Sequence, residues 1–413
     1  MTKPELLVPA GNQEKLEIAV AYGADAVYFG GRDFSLRARA GNFSPAGLKS
    51  AISYCRRHRV KAYLTVNLLA GEADFEPLAC FLEELQPDPP AALIVADPGV
   101  LTFCREILPE TPLHLSTQAN SLNSRTAAFW QRQGVSRVNL ARELSLAEIA
   151  EIVRQVPGLE FEVFVHGAMC MAYSGRCLLS AVLTGRSANR GDCAQPCRWS
   201  YALLEETRPG EYLALEEDQR GSYIFNSRDL CLLARLPELV AAGISSGKIE
   251  GRMKSAYYVA VVTRVYRQAL DHLAAGGSFS ESKLEAWKNE LTRVSHRRYT
   301  EAFMTDGRLV SEPPELQFYG DSAYLRSYQF VALVDRVIAY DPETDCSEVE
   351  LKVKARLRVG AEIEVITPAM DDFTTTIIEL SRIELNRPRE EKIPEVHPGT
   401  EVRARCRGRL ERF

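Results

Sequence analysis

Short apolar segments alternate with longer helical patterns over roughly the first two thirds of the chain, and this alternation limits the fold most strongly. The eight apolar segments, rich in β-branched residues, are Leu6–Pro9, Ala26–Gly30, Ala62–Asn67, Ala92–Asp97, Leu113–Gln118, Arg137–Ala141, Glu162–His166 and Gly247–Glu250. Amphipathic helical patterns lie between most of them, such as Gln13–Tyr22, Ala46–His58, Phe75–Leu85, Ser124–Gln133 and Leu146–Val156. Such alternation predicts an α/β fold, a TIM-like (β/α)8 barrel. A doubly wound open sheet is the alternative, but no glycine-rich phosphate motif follows the first strand.

The barrel pattern predicts a domain over residues 1–310, with a cysteine-rich insertion at 167–246 after the seventh strand. Residues 311–327 resemble a linker. From 328 to 413, short alternating strands separated by Gly, Pro and Asp turns predict a small antiparallel β-barrel. Because loops at the carboxyl ends of barrel strands build active sites, we expect the long insertion to be functional.

Composition excludes several classes of protein. The 413 residues are 46% hydrophobic and carry a net charge of −5. The chain therefore lacks the overall positive charge that would indicate nucleic-acid binding. The N-terminus has no secretory segment and no stretch approaches the length of a membrane span, which predicts a cytoplasmic protein without membrane contact. Clustered cysteines in such a compartment usually indicate metal binding or catalysis.

Four cysteines of the insertion have the spacing C-x6-C-x15-C-x3-C, and they are Cys170, Cys177, Cys193 and Cys197. Zinc ribbons favour paired C-x2-C motifs, whereas a four-thiolate iron–sulfur site tolerates irregular spacing. We therefore predict one iron–sulfur site, with structural zinc and unligated buried thiols as alternatives. Cys231 is an alternative fourth ligand.

Polar residues lie at or just after the carboxyl ends of the predicted strands, which a (β/α)8 barrel gathers on one face. They are Asn12, Gly31, Asn67, Asp97, Gln118, Arg142, Glu143, His166, Lys248, Glu250 and Arg252. His166 and Glu250 are the candidate catalytic residues. The candidate substrate-binding residues are Asn67, Gln118, Arg142, Lys248 and Arg252, whose cations suit a small dicarboxylate. The alternative is that these residues pair with one another, and that His166 is a structural histidine.

Two arginine-rich segments are candidate RNA contacts. Arg32, Arg37 and Arg39 lie among phenylalanines after the second strand, where cations and rings suit bases and phosphates. Near the C-terminus, Arg403 and Arg405 share one face of a strand by the period of two. The alternatives are a solvated loop for the first segment and protection of an edge strand for the second.

The segment EVFVHGAMCMAYSGRCLLS (162–180) resembles the signature of the collagenase-like peptidase family U-32. The matching residues are Glu162, Phe164, Gly167, Ala168, Met169, Cys170, Gly175, Cys177 and Ser180. LLVPAGN, ADAVYFGG, NRGDCAQPCRWSY and KIEGRMKS are also similar to the family, so the resemblance covers essentially the whole chain.

This resemblance implies a tRNA-modifying enzyme of the family's prephenate-dependent branch. It implies oxygen-independent 5-hydroxylation of the wobble uridine of tRNA, with a 4Fe-4S cluster and prephenate as co-substrate. The alternatives are a peptidase, hydroxylation of another RNA, and a binding module with a structural metal. The sequence contains no His-Glu-x-x-His motif, so the usual zinc-peptidase chemistry has no support.

Overall fold

The structure, a computed structural model, divides into a barrel unit (residues 1–325) and a β unit (residues 326–413). It describes residues 3–35, 42–169, 177–196, 217–218, 221–222, 228–304, 325, 328–382 and 391–412. The predicted linker 311–327 therefore lies outside the described residues except for Leu325.

The strands of the barrel unit are β1 (Glu5–Pro9), β2 (Ala26–Gly30), β3 (Lys61–Val66), β4 (Ala92–Val95), β5 (Leu113–Leu115), β6 (Val135–Asn139), β7 (Glu160–Ala168), β8 (Glu217–Asp218), β9 (Gly221–Ser222), β10 (Asp229–Cys231), β11 (Ser246–Ile249) and β12 (Tyr299–Thr300). Strands β1 to β7 pair in parallel in chain order, and β11 pairs with both β7 and β1. These pairings close an eight-stranded parallel barrel, which confirms the predicted TIM-like fold.

The helices are α1 (Gln13–Ala21), α2 (Pro45–Arg57), α3 (Phe75–Glu83), α4 (Pro98–Ile107), α5 (Ser124–Arg132), α6 (Leu146–Gln155), α7 (Leu179–Thr184), α8 (Leu236–Ala241), α9 (Ala256–Ala274) and α10 (Glu281–Leu291). Many begin at a side chain that accepts a hydrogen bond from the first turn. Asn12 caps α1 and Asp97 caps α4 in this way, so both are engaged by helices. No helix in the described part of the chain is long and apolar enough to cross a membrane.

The insertion between β7 and β11 extends the barrel sheet. Strand β10 pairs antiparallel with the end of β7, and β12 pairs in parallel with β10. Helix α7 and a 3-10 turn at Ala188–Arg190 lie earlier in the insertion. The insertion therefore begins at the carboxyl end of barrel strand β7.

The strands of the β unit are β13 (Ala332–Asp341), β14 (Cys346–Val353), β15 (Leu357–Arg358), β16 (Glu362–Val365), β17 (Phe373–Arg382), β18 (Glu395–Val396) and β19 (Glu401–Arg407). Five of them form an antiparallel sheet in the order β13-β14-β19-β17-β16, and β15 pairs with β18. Alternate residues of β19 (Val402, Ala404 and Cys406) fill a core shared with the β15–β18 ribbon. The antiparallel architecture is confirmed, and closure of this sheet into a barrel stays a prediction.

Candidate functional site: the barrel mouth and the cysteine insertion

The carboxyl ends of the barrel strands and the loops that follow them form the barrel mouth. Two predicted substrate-binding residues meet there, because Asn67 Nδ2 donates to Gln118 Oε1 at 2.6 Å. Ser116 Oγ donates to the same oxygen at 3.0 Å. Gln118 is only 7% exposed, and its Nε2 has no hydrogen-bond partner. The mouth therefore contains a buried amide whose oxygen is saturated and whose nitrogen is not.

Arg142 follows β6 and lies over the ring of Phe164, with its guanidinium carbon 4.0 Å from the ring centroid. Its Nη1 also donates to the carbonyl of Ala168 at 3.4 Å. Burial raises the pKa of the adjacent Glu143, an effect that its own backbone N–H and Arg142 only partly offset. A cation and a carboxyl with raised pKa therefore lie side by side after β6.

Arg252 follows β11 and is 3% exposed. Its guanidinium donates to Ser35 at 3.1 Å, to Thr65 at 3.2 Å and to Asn42. Gly30 leaves the space it needs, since a Cβ there would lie 2.7 Å from Arg252 Nη2. Arg252 therefore joins the loop after β2 to β3.

Below the mouth, a chain of buried ion pairs crosses the barrel interior. Arg137 contacts Glu5 at 2.6 Å and Glu162 at 3.6 Å, and Lys248 Nζ contacts Glu162 at 2.8 Å. Burial alone would raise the pKa of Glu5, but the charge and hydrogen bond of Arg137 hold it below its ordinary value. Two carboxylates thus balance two cations, which allows charges to persist in the interior.

Lys248, a predicted substrate-binding residue, belongs to this chain. It is 4% exposed, and its ammonium lies 4.6 Å from the ring centroid of Tyr28 and 5.5 Å from that of Phe164. Because Glu162 already neutralises it, Lys248 is less available to a ligand than the sequence suggests.

Glu250, a predicted catalytic residue, follows β11 at the mouth. Tyr28 donates its hydroxyl to Glu250 Oε2 at 3.1 Å, and Tyr258 donates to the Glu250 backbone carbonyl at 2.9 Å. The backbone carbonyl also approaches Gly167, where a Cβ would lie 2.3 Å away. These contacts fix the position of Glu250, and its catalytic role stays a prediction.

His166, the other predicted catalytic residue, faces away from the barrel interior. Phe164 is opposite Lys248, whereas His166 is opposite Ile249, so β7 contains an extra residue at Val165. This bulge turns His166 among the rings of three tyrosines, Tyr258, Tyr266 and Tyr299. Burial lowers its pKa to about 3, which keeps it neutral. The geometry fits a packed histidine better than an acid–base group at the mouth.

Two of the predicted metal ligands, Cys177 and Cys193, are partly exposed in the insertion. The backbone N–H of Gln195 donates to Cys193 Sγ at 3.3 Å, as is common around metal-bound thiolates. Ala194 N donates to the Ser180 hydroxyl at 2.9 Å, which ties the segment after Cys193 to the helix that follows Cys177.

Cys170 and Cys197 lie outside the described residues, as do Arg37 and Arg39. Within the described ranges, no group of three or more His, Cys, Asp or Glu residues could hold a metal. Cys231 is 9% exposed on β10, and its sulfur lies 3.8 Å from the Tyr266 hydroxyl. The iron–sulfur site stays a prediction, and its fourth ligand stays open between Cys197 and Cys231.

The predicted RNA-binding arginines differ in their surroundings. Arg403 lies 3.5 Å from Glu348 and 3.7 Å from Glu350. Arg405 is exposed and donates to Thr344 at 3.2 Å. Arg32 is also exposed, after β2. Among the arginines of β19, Arg405 is therefore more available for phosphate than Arg403.

Sequence reasoning missed the buried chain that joins Glu5, Arg137, Glu162 and Lys248 as a unit. One signal was present, because Glu5, Arg137 and Glu162 are charged residues inside otherwise apolar strands. Charges are rarely buried unless they are paired, so such residues predict partners of opposite charge inside the barrel.

A closed parallel barrel with a polar mouth and a cysteine-bearing insertion is the architecture of a barrel enzyme. The chain belongs to peptidase family U32. The family model matches residues 11–310, and the model of the family's C-terminal domain matches residues 326–413.

Curated relatives match nearly the whole chain. The chain is 40% identical to "tRNA hydroxylation protein P1" of Bacillus subtilis, over 91% of this chain and 86% of the relative. It is 40% identical to "tRNA hydroxylation protein P" of Escherichia coli, over 89% of this chain and 87% of the relative. It is also 32% identical to "Collagenase" of Porphyromonas gingivalis, over 88% and 86%.

Proposed function

We propose that this chain is an enzyme that hydroxylates tRNA, with the wobble uridine as its target and position 5 as the site of hydroxylation. The observation that carries the proposal is the 40% identity to two proteins named for tRNA hydroxylation, over about nine tenths of this chain. The barrel mouth supports it, because that face of the fold hosts catalysis in barrel enzymes.

The proposed cofactor is a 4Fe-4S cluster. Cys170, Cys177 and Cys193 would hold it, with Cys197 or Cys231 as the fourth ligand. The hydrogen bond from Gln195 N–H to Cys193 Sγ supports this set, since such bonds tune thiolate-bound clusters. When bound, the cluster supplies one-electron chemistry that protein side chains lack.

The proposed co-substrate is prephenate, a small dicarboxylate that the mouth would bind. The proposed binding residues are Arg142 on the loop after β6, Gln118 on the loop after β5, and Asn67 and Arg252. Lys248 pairs with Glu162 and lies near the rings of Tyr28 and Phe164, so we propose it as a positioning residue. Glu250, whose Oε2 accepts from Tyr28, is the carboxyl that we propose for proton transfer.

The proposed RNA contacts are the exposed Arg32 and Arg405, with Arg37, Arg39 and Arg403 as further candidates. Cations of this kind neutralise phosphates without reading the base sequence. A tRNA substrate and cysteines that are free in the described part of the chain are consistent with a cytoplasmic enzyme.

The test is mass spectrometry of tRNA from a strain that lacks this gene and any paralogue. We expect 5-hydroxyuridine to disappear from the wobble position, to return with the wild-type gene, and to stay absent with Cys177→Ala. A strain with unchanged 5-hydroxyuridine would refute the proposal.

A second candidate, peptidase activity, is favoured by the collagenase relative. Purified, iron-loaded protein that cleaves gelatin, with cleavage lost in Glu250→Gln, would support it. We expect no cleavage, since the chain has no His-Glu-x-x-His motif.

A further inference from the structure

The loop after β5 holds Gln118 rigidly. Ser116 caps a 3-10 turn at Thr117–Ala119, and Thr117 Oγ1 donates to the Leu140 carbonyl at 3.2 Å. Asn120 adopts a left-handed conformation with φ 54° and donates its amide to the Gln118 carbonyl at 2.8 Å. These bonds define the backbone position from which the Gln118 side chain extends.

The side-chain amide is equally fixed. Two donors, Asn67 Nδ2 at 2.6 Å and Ser116 Oγ at 3.0 Å, occupy Gln118 Oε1. Gln118 Nε2 has no hydrogen-bond partner, and the residue is only 7% exposed. A buried amide nitrogen without an acceptor is costly, so its retention at a functional face indicates a ligand that supplies one.

A cation lies on the neighbouring loop. The loops after β5 and β6 are joined by the Thr117–Leu140 bond and by a bond from Ala141 N to the Ser121 carbonyl at 3.2 Å. Arg142 follows Ala141 directly and is 9% exposed. An amide donor and a guanidinium on two joined loops provide the donors that a carboxylate accepts.

We propose that Gln118 Nε2 donates to a carboxylate oxygen of the small acid that binds at the barrel mouth, and that it thereby sets the orientation of that acid. This inference rests on the proposed function. The Lys248 ammonium pairs with Glu162, and the terminal nitrogens of Arg252 donate to Ser35, Thr65 and Asn42, so these cations already have protein partners. Gln118 is thus a specificity-determining residue.

The uracil carbonyl of the RNA is another source of an acceptor oxygen. The carboxylate is favoured because Gln118 is deeply buried and its loop is joined to the loop of a cation. The two acceptors can be distinguished by experiment. If the acceptor is the carboxylate, loss of the Gln118 donor weakens binding of the acid, and if it is the uracil carbonyl, the loss weakens binding of tRNA.

The test uses Gln118→Glu in the purified, full-length, iron-loaded protein. Glutamate keeps an oxygen for Asn67 and Ser116, so the loop is retained, but it removes the donor and adds a like charge opposite the ligand. The matched control is Gln131→Glu on α5, a partly exposed residue whose amide donates to the Pro157 carbonyl at 3.0 Å. Gln118→Met is a second variant, which removes the donor without adding charge.

Calorimetric titration with prephenate gives Kd, and filter binding gives the Kd for tRNA. We expect Kd for prephenate to rise about tenfold or more in both Gln118 variants, as for a lost hydrogen bond to a charged group. Gln131→Glu should match the wild type, and all variants should bind tRNA equally.

Unchanged prephenate binding in both Gln118 variants would overturn the inference while leaving the proposed function intact. Weaker tRNA binding with unchanged prephenate binding would assign the donor to the base and also overturn it. Wild-type protein that binds no prephenate would refute the proposed co-substrate, and this inference with it.

Discussion

Replacing Glu162 by glutamine should destabilise the barrel unit, because Glu162 is the counter-charge of a buried lysine. The carboxylate accepts from Lys248 Nζ at 2.8 Å and from Asn139 Nδ2 at 2.9 Å, and it lies 3.6 Å from Arg137. Glu162 is 3% exposed and Lys248 is 4% exposed, so water cannot replace either partner. The variant leaves the barrel interior with one uncompensated positive charge.

The magnitude follows from the distance. At an effective dielectric constant of about 20, unit charges 2.8 Å apart attract by about 6 kcal/mol. The glutamine carbonyl still accepts a hydrogen bond from Lys248 and recovers part of this. We therefore expect the free energy of unfolding to fall by about 3–5 kcal/mol, the usual loss when one partner of a buried pair is removed.

Urea denaturation followed by circular dichroism measures the change. Lys248→Met should be destabilising for the same reason, whereas the double variant, with neither charge, should lose at least about 2 kcal/mol less than the sum of the two. Glu151→Gln is the control, since its ion pair with Arg154 is exposed and should not matter. A loss below about 1 kcal/mol for Glu162→Gln, or strict additivity in the double variant, would refute the reasoning.

Three further predictions concern the metal, the RNA and the barrel interior. Cys177→Ala and Cys193→Ala should each lower the iron content of anaerobically purified protein, whereas Cys406→Ala, in the core of the β unit, should not; equal iron in all three would contradict the ligand set. Arg405→Gln should weaken tRNA binding and make the slope of log K against log[salt] shallower by about 0.9. Arg403→Gln should have a smaller effect, because Arg403 lies beside Glu348; a larger effect for Arg403→Gln would count against the β unit as an RNA contact. Burial lowers the pKa of His114 to about 3, so only the unfolded chain takes up a proton between pH 6.5 and 3, and stability falls on acidification. From pH 7 to pH 5 this contributes about 2 kcal/mol, and His114→Phe should show a correspondingly smaller loss by urea denaturation at the two pH values.

The fold was predictable because it follows from periodicity. Parallel strands buried on both faces must be continuously apolar, and the helices between them must be amphipathic, so eight repeats determine a closed barrel. The cysteine spacing and the length of the insertion likewise place a candidate metal site after the seventh strand.

Individual site residues were less predictable because side-chain direction depends on local register. His166 lies in a strand with regular alternation in sequence, but one extra residue in β7 turns it toward the tyrosines of α9. Lys248 resembles a mouth cation in sequence, and only the fold shows Glu162 beside it. Asn12 and Asp97 likewise prove to be helix caps. A strand position in the sequence indicates which end of the barrel a residue lies near, but only the folded barrel shows which residues are its partners.

Reconstitution in vitro tests the central claim most directly. Purified protein loaded with iron and sulfide would be incubated anaerobically with prephenate and tRNA that lacks 5-hydroxyuridine, and the nucleosides would be measured by mass spectrometry. We expect 5-hydroxyuridine at the wobble position, dependent on prephenate and lost in Cys193→Ala. Cluster-loaded protein that binds tRNA and prephenate but leaves the uridine unmodified would contradict the account.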